Sequence, residues 1–235
     1  MAQLITLADL RERARDASDM TNSTFIEDAE LDRYINQSLQ KLYDLLVSAY
    51  GQEYYYNSEV ISLTPNTDLY SLPTDFYQLI GVDLILDSTP TITSNAITLQ
   101  PYMFQERNRY VNSYLTADQV DGTIRMRYRL KADKIHLIPQ PSGFNSLRLH
   151  YIPVMPKLSV AGDEFDGING WEEFAVLDTA IKMMRKEEGD TRDLRADRAD
   201  IEDKLLAMAG DRDAGFPMRV TDVSRQNYDQ LDGIF

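Results

Sequence analysis

Few residues of this sequence could carry out chemistry. The chain contains no cysteine and two histidines, His136 and His150. The lack of thiols excludes a disulfide framework, a thiolate metal site and a cysteine nucleophile, and two histidines cannot form a three-histidine metal site. The sequence also has no glycine-rich phosphate loop, no paired-histidine zinc motif and no nucleophile elbow. We therefore expect no catalytic residue, no cofactor-binding residue and no metal ligand, and the sequence predicts a protein that is not an enzyme.

Carboxylates are the remaining candidates for catalysis. Residues 163–167 (DEFDG) are acidic like a calcium loop, but their spacing is wrong and the distal glutamate is missing. With 38 Asp and Glu residues, some pair suited to glycoside hydrolysis always exists, and nothing in the sequence singles one out. A cell-wall glycan hydrolase that uses a carboxylate pair therefore stays open as an alternative function.

Charge is distributed unevenly along the chain. It has 24 Lys and Arg against 38 Asp and Glu, a formal net charge of −14, which disfavours coating of DNA through phosphate contacts. No Lys or Arg lies between Lys41 and Arg107, whereas residues 107–134 are locally basic. We expect these two stretches to form complementary surfaces that pair neighbouring copies of the chain. The acidic balance also leaves open an acidic DNA mimic that inhibits a basic host protein.

The sharpest local pattern is an alternation at residues 124–130 (IRMRYRL). In a strand, this alternation places Arg125, Arg127 and Arg129 on one face and the apolar side chains on the other. Three guanidinium groups can bind phosphate or the carboxylates of a partner. The arginine face is therefore interpreted as a solvated surface, a subunit interface or a DNA-facing strip.

A run of three aromatic residues, Tyr54, Tyr55 and Tyr56, has side chains that can stack on bases. No cation lies near this run in the sequence to hold a nucleic-acid strand. We therefore expect the three tyrosines to pack within the chain or against a neighbouring subunit. Together with the three arginines they make up the predicted subunit interface or channel strip.

Helical periodicity flanks a long β-like region. Apolar residues recur at three- and four-residue steps over residues 6–18, 28–49, 171–188 and 191–209, which predicts four helices. Between the second and third of these, short alternating runs separated by turn residues predict strands, and residues 131–134 predict a hairpin turn.

We therefore predict an α+β fold whose core is an antiparallel helical bundle. The bundle comprises residues 1–50 and 165–210, and a β-rich domain of residues 51–164 is inserted between helices 2 and 3. Residues 211–235 form an extended C-terminal arm. The sequence has neither a signal-peptide pattern nor an 18-residue apolar run, so we expect no membrane segment.

An ordered set of motifs resembles a known family. The motifs are residues 28–43 (DAELDRYINQSLQKLY), 70–76 (YSLPTDF), 135–141 (IHLIPQP), 149–153 (LHYIP) and 174–190 (FAVLDTAIKMMRKEEGD). With the long strand region between helix pairs, they make the chain similar to the head-to-tail connector adaptors of tailed bacteriophages, over about residues 25–205.

This resemblance implies a virion structural protein without a cofactor. Such an adaptor forms a homo-oligomeric ring of twelve copies that binds below the portal protein and receives a tail or nozzle protein. Packaged DNA passes through the ring without sequence-specific binding. The protein would belong to the neck of the virion, between head and tail, and assemble in the host cytoplasm.

The C-terminal arm is the segment we assign to binding of the portal or of a neighbouring copy. A polar, β-prone tail that ends in Ile-Phe can become ordered on a partner, although a frayed terminus without a role is the alternative. The predicted binding residues of the arm are Phe216, Arg219, Val220, Val223, Arg225, Tyr228, Leu231, Ile234 and Phe235.

Overall fold

The computed structural model describes residues 4–21, 25–50, 54–86, 95–111, 126–141, 146–168 and 170–209. The predicted C-terminal arm, residues 211–235, lies outside the described residues with all the binding residues assigned to it. Arg125 also lies outside them.

Four helices occupy the two ends of the described chain, as the periodicity predicted. They are α1 (Leu7–Ala17), α2 (Asp28–Tyr50), α4 (Glu172–Lys186) and α5 (Arg192–Ala209). A short helix that the periodicity did not predict, α3 (Arg107–Val111), lies among the strands. The hydroxyl of Thr6 accepts a hydrogen bond from the backbone of Asp9, whose carboxylate in turn accepts one from the backbone of Thr6. This capping box fixes the start of α1 by satisfying two free amide groups.

Apart from the first strand, which precedes α1, the strands lie between α2 and α4, and the described strands pair in three sheets. They are β1 (Leu4–Thr6), β2 (Asn57–Ser62), β3 (Leu69–Ser71), β4 (Phe76–Ile85), β5 (Ala96–Thr98), β6 (Gln100–Pro101), β7 (Arg127–Lys131), β8 (Lys134–Ile138), β9 (Ser146–Pro153) and β10 (Glu164–Asp166). The first sheet has the order β2-β9-β4-β5, the second has the order β3-β8-β7-β6, and β1 pairs with β10. Pairing is antiparallel except between β6 and β7. These elements confirm the α+β class, and β7 and β8 form the predicted hairpin.

The two four-stranded sheets share one hydrophobic core. Val82 and Leu149 of the first sheet are buried in the same cluster as Ile135 and Leu137 of the second. Because alternate residues of a strand point to opposite faces, each sheet turns one face to this core and the other away from it. The sheets therefore stack as a sandwich.

The helices bury a second hydrophobic cluster, to which α1, α2, α4 and α5 all contribute. Helix α4 contacts the other three. Ile152 of β9 and Met155 beyond it belong to the same cluster, and the hydroxyl of Tyr43 donates to the carbonyl of Pro153 at 2.7 Å. The helices thus pack against one end of the first sheet. The domain boundaries and the bundle arrangement stay predictions.

A buried carboxylate joins three of the helices. Asp178 of α4 is 2% exposed and binds Lys41 of α2 at 3.0 Å, Lys182 of α4 at 3.1 Å and Arg198 of α5 at 2.8 Å. The hydroxyl of Ser38 donates to the same carboxylate at 2.9 Å. Opposite charges at these distances offset the cost of removing the carboxylate from water.

The ionisation of Asp178 reflects this cluster. Burial alone would raise its pKa, but hydrogen bonds from Lys41 and Ser38 and the charge of Lys182 outweigh burial and lower the pKa from 3.8 to about 2. A lowered pKa means that the native state favours the charged carboxylate. This carboxylate therefore stabilises the fold above about pH 4, and the contribution is lost as pH falls through 2.

Replacing Asp178 by Asn removes the anion while keeping the shape of the side chain. We expect the free energy of unfolding in urea to fall by about 3 kcal/mol, because Lys41, Lys182 and Arg198 then lose their shared anion. The matched control is Asp190→Asn, which removes an exposed pair with Arg192 and should leave stability almost unchanged. Equal effects of the two substitutions would contradict a structural role for the cluster.

Candidate interaction surfaces

The two described arginines of the predicted strip, Arg127 and Arg129, lie on the face of β7 turned away from the sandwich core. Tyr128 between them packs towards that core, as alternation requires. Arg127 donates to the side-chain oxygen of Gln100, and Arg129 donates to the carbonyl of Tyr102 at 3.3 Å. Both arginines are partly buried, so part of their hydrogen-bonding capacity is used within the subunit. Their role in an interface or channel stays a prediction.

An exposed aromatic ring extends this arginine face. Phe104 lies in the 3-10 turn Phe104–Glu106, which follows β6. The guanidinium of Arg107 lies 4.4 Å from the centroid of the Phe104 ring, and that of Arg129 lies 5.8 Å from it. We call Met103, Phe104, Arg107 and Arg129 the Phe104 cluster. Cation–π contacts hold the ring in place while 49% of the residue stays exposed.

Sequence reasoning missed the Phe104 cluster. The parallel pairing of β6 with β7 places Gln100 beside Arg127. Phe104, which follows β6, therefore lies near Arg129, 25 residues further along the chain. The local spacing of Phe104 and Arg107, three residues apart, was the one signal in the sequence.

The two histidines occupy similar networks, one on each sheet. His136 of β8 bonds through Nδ1 to the hydroxyl of Tyr102 at 2.6 Å and through Nε2 to Asp68 at 3.2 Å. His150 of β9 bonds through Nδ1 to the hydroxyl of Tyr56 at 2.7 Å and through Nε2 to Asp83 at 2.8 Å. Since a carboxylate only accepts, each histidine donates from Nε2, and a neutral ring accepts from the tyrosine at Nδ1.

An open pocket lies beside His150. Its volume is about 560 Å³, and its lining includes Tyr56, Gly81, Asp83 and Thr98. The hydroxyl of Thr98 donates to Asp83 at 2.8 Å, so both oxygens of that carboxylate are engaged by residues of the pocket. These bonds hold the side chains that form the wall of the pocket.

The three adjacent tyrosines separate in the structure. The hydroxyl of Tyr54 donates to the carboxylate of Asp166 at 2.7 Å, and that of Tyr55 donates to the Asp166 carbonyl at 2.8 Å. The Tyr55 ring lies 4.5 Å from that of Tyr43. Tyr54 and Tyr55 therefore pack within the subunit, on the helical cluster, whereas Tyr56 is exposed beside His150. An interface role for the three stays a prediction.

The described residues contain no group of three or more His, Cys, Asp or Glu side chains placed to hold a metal ion. No helix in this part of the chain is long and apolar enough to span a membrane.

The described part of the chain is therefore an α+β protein that displays arginine and aromatic side chains, residue types enriched at protein interfaces, on the faces of a sandwich. Comparison with family models gives the particular class. The model described as SU10 adaptor protein matches residues 5–224, so the chain belongs to this family of phage head–tail adaptors. No curated protein sequence matches the chain.

Membership confirms the resemblance seen in the sequence. It makes the chain a phage structural adaptor that associates with head and tail components, and a component of the virion neck. A family of structural adaptors also points to a non-enzymatic role.

The pKa of His136 tests the hydrogen bonds that this residue makes with Tyr102 and Asp68. Burial is the main cause that lowers its pKa from 6.5, Lys131 lowers it further, and Asp68 partly offsets both. We expect an NMR titration to place the pKa of His136 below 6.5, and Asp68→Asn to lower it again. The lowered pKa stabilises the fold above pH 6.5, and this contribution is lost as pH falls through the folded value.

The chain has two histidines, so the imidazole resonance that remains in a His150→Gln variant belongs to His136 and the one that disappears belongs to His150. Lys131→Met is the opposite control, since it should raise the pKa of His136. A pKa of His136 at or above 6.5, or an increase on Asp68→Asn, would contradict the geometry of this network.

Proposed function

We propose that the chain joins the phage capsid to the tail by binding below the portal ring as a ring of twelve copies. The observation that carries this proposal is the family match over residues 5–224. The ring receives the tail or nozzle protein on its other side. It assembles in the host cytoplasm and remains in the virion neck.

Packaged DNA passes through the centre of this ring without sequence-specific binding. The charge of the chain supports this part of the proposal. Each copy carries a formal net charge of −14, and a ring multiplies that charge around the conduit. A field of the same sign as the phosphates disfavours adhesion of the genome to the wall.

Three sets of residues are proposed to make the contacts of the adaptor. Arg125, Arg127 and Arg129 are one set, and residues 54–56 are a second set elsewhere in the fold; each serves a subunit interface or faces the channel. The arm, residues 211–235, docks on the portal or on a neighbouring copy. A segment that becomes ordered on a partner covers a large area at an entropic cost.

Electron microscopy of the full chain mixed with its own portal rings tests the function. We expect negative-stain images to show a second ring stacked on each portal ring, because the family joins head to tail. Portal rings alone, and the chain alone, are the controls. Portal rings that keep their original outline at an excess of the chain would contradict the proposal.

Deletion of residues 216–235 tests the arm. We expect the truncated chain to keep the urea midpoint of the full chain and to lose affinity for portal rings or neighbouring copies, since the arm supplies contact area in the assembly. The measurement is co-sedimentation with portal rings. A chain of full length with residues 216–235 in scrambled order is the matched control, and it should bind as weakly as the truncation. Co-sedimentation of the truncated chain at the level of the full chain would show that the arm has no docking role.

A further inference from the structure

One edge of the first sheet is longer than the other edges of the sandwich. Among the described strands, β2 and β5 are the edges of the first sheet, and β3 and β6 are the edges of the second. Strand β2 has six residues, whereas β5 and β3 have three each and β6 has two. Short edge strands are one way in which proteins avoid pairing with other chains. Of these four edges, β2 is therefore the one that can accept a strand of ordinary length.

Strand β2 is also regular and exposed. Its six residues pair with β9 without a register shift, whereas β4 pairs with β9 across two such shifts. Every residue of β2 except Ile61 is exposed, and Val60 is 41% exposed. Residues 57–62 contain no Lys and no Pro, two residue types that commonly protect an edge. The free side of β2 thus offers a regular row of backbone N–H and C=O groups on which another chain can add a strand.

The core-facing side of β2 carries an acidic and an aliphatic residue. Glu59 pairs in register with Leu149 and Ile61 pairs with Leu147, and both leucines are buried in the core of the sandwich. Because residues opposite each other point to the same face of a sheet, Glu59 and Ile61 point to the core side of this edge.

The cation that pairs in register with β2 lies on the other face. Arg148 is the partner of Val60, and neighbouring residues of a strand point to opposite faces. Arg148 therefore accompanies Val60 on the outer face and not Glu59 on the core side. A charge that points inwards at an edge disfavours pairing with a wholly apolar strand. The strand that fits this edge needs a cation beside Glu59 and an apolar side chain beside Ile61.

Residues 219–225 (RVTDVSR) of the C-terminal arm have a sequence suited to such a strand. Val220, Thr221 and Val223 are β-branched residues that favour strands, and the segment contains neither Gly nor Pro. It begins ten residues after α5, which ends at Ala209. Ten extended residues span about 33 Å, the diameter of a small domain, so the segment can reach a neighbouring copy.

We propose that residues 219–225 of one copy add an antiparallel strand to the free edge of β2 in the next copy. The single chain leaves β2 exposed, so a second copy supplies the strand. Backbone hydrogen bonds provide the affinity of such a contact, and side-chain pairs provide its specificity. Because donor and acceptor are different parts of the chain, the contact repeats from copy to copy and closes into a ring when the rotation permits.

The side chains select one register for the added strand. When Val223 lies opposite Ile61, Arg225 lies opposite Glu59. Apolar and opposite-charge pairs across neighbouring strands stabilise a sheet, and the arginine supplies the cation that the core side of this edge lacks. Ser224 then lies opposite Val60 on the outer face.

This inference rests on the proposed function in one respect, because it assigns the docking of the arm to a neighbouring copy and not to the portal. Strand pairing has a signature that other modes of docking lack, since side chains alternate between two faces with a period of two. The chain contains no cysteine, so introduced cysteines report this alternation without background.

The experiment mixes full-length Val60→Cys chain with full-length chains that carry one cysteine at each position from 221 to 226, under mild oxidation. It is run on the concentrated chains and on chains bound to portal rings. We expect disulfide-linked dimers at positions 222, 224 and 226, with the highest yield for Ser224→Cys, whose Cβ atom lies about 5 Å from that of residue 60. Positions 221, 223 and 225 are the matched controls, and they should give little dimer because they point to the other face.

Two further controls identify the source of the strand. Val60→Cys alone should stay monomeric, and a disulfide dimer of this variant would show that two β2 edges pair with each other, which overturns the proposal. The double variant with Val60→Cys and Ser224→Cys should form a ladder of multimers. An intramolecular disulfide in that variant, without dimers in the mixture of single variants, would show that the arm folds back on its own chain and would also overturn it.

Proline substitution in the arm tests the backbone hydrogen bonds without altering the described fold. Val220→Pro with Val223→Pro, placed on the Ser224→Cys chain, removes one amide from each side of the added strand. We expect dimer yield to fall about tenfold, the effect of about 1.4 kcal/mol. Asp229→Pro with Asp232→Pro has the same spacing outside the segment and should leave the yield unchanged. Equal yields for both proline pairs would contradict strand addition.

Charge reversal tests the register. Either Glu59→Arg on the Val60→Cys chain or Arg225→Glu on the Ser224→Cys chain should lower dimer yield, and the two together should restore it. Circular dichroism of each variant verifies its fold. A combined variant that stays as low as the single reversals would contradict the pairing of Glu59 with Arg225.

The outcomes separate this contact from the adaptor function. A second ring stacked on the portal, without alternation of the cross-links, overturns the strand contact and leaves the function standing. Alternating cross-links without a stacked ring support the contact and count against the function. Absence of both results overturns both proposals.

Discussion

The arrangement of the helices depends on one buried carboxylate. Asp178 binds Lys41, Lys182 and Arg198 from three helices, and hydrogen bonds from Lys41 and Ser38 with the charge of Lys182 hold its pKa below the ordinary value in spite of burial. A charge inside a protein is tolerated only when its partners are fixed, so the cluster specifies how α2, α4 and α5 meet. Ile152 and Met155 belong to the same hydrophobic cluster as these helices, and Tyr43 of α2 bonds the carbonyl of Pro153, so the helices and the end of the first sheet share one core.

The packing of the two sheets and the helices leaves parts of the sandwich accessible for contact with other chains. One face of the first sheet is covered by helices at the Ile152 end, and the inner faces of both sheets are joined through their shared core. The outer face of the second sheet and the region around Tyr56 and His150 stay accessible for contact with other chains. The outer face of the second sheet holds Arg127 and Arg129, and the Phe104 cluster extends it.

Helices α1, α2, α4 and α5 and most strands could be predicted from the sequence because their signals are local. Capping at Thr6, apolar spacing in α2 and alternation around Tyr128 depend on residues a few positions apart. The tyrosine run shows the limit of that reasoning. Residues 54–56 are adjacent in sequence, yet Tyr54 and Tyr55 pack on the helical cluster while Tyr56 turns to His150, because their partners come from β10 and β9.

The sequence by itself determined the absence of thiol chemistry, the uneven charge, the order of helices and strands and the resemblance to phage adaptors. These properties follow from composition and from short-range periodicity. Only the tertiary structure decided that Asp178 joins three helices, that both histidines lie between a tyrosine and an aspartate, and that Phe104 lies against Arg129. Each of these contacts joins residues far apart in the chain, and strand pairing and helix packing, which bring them together, leave no mark in local sequence.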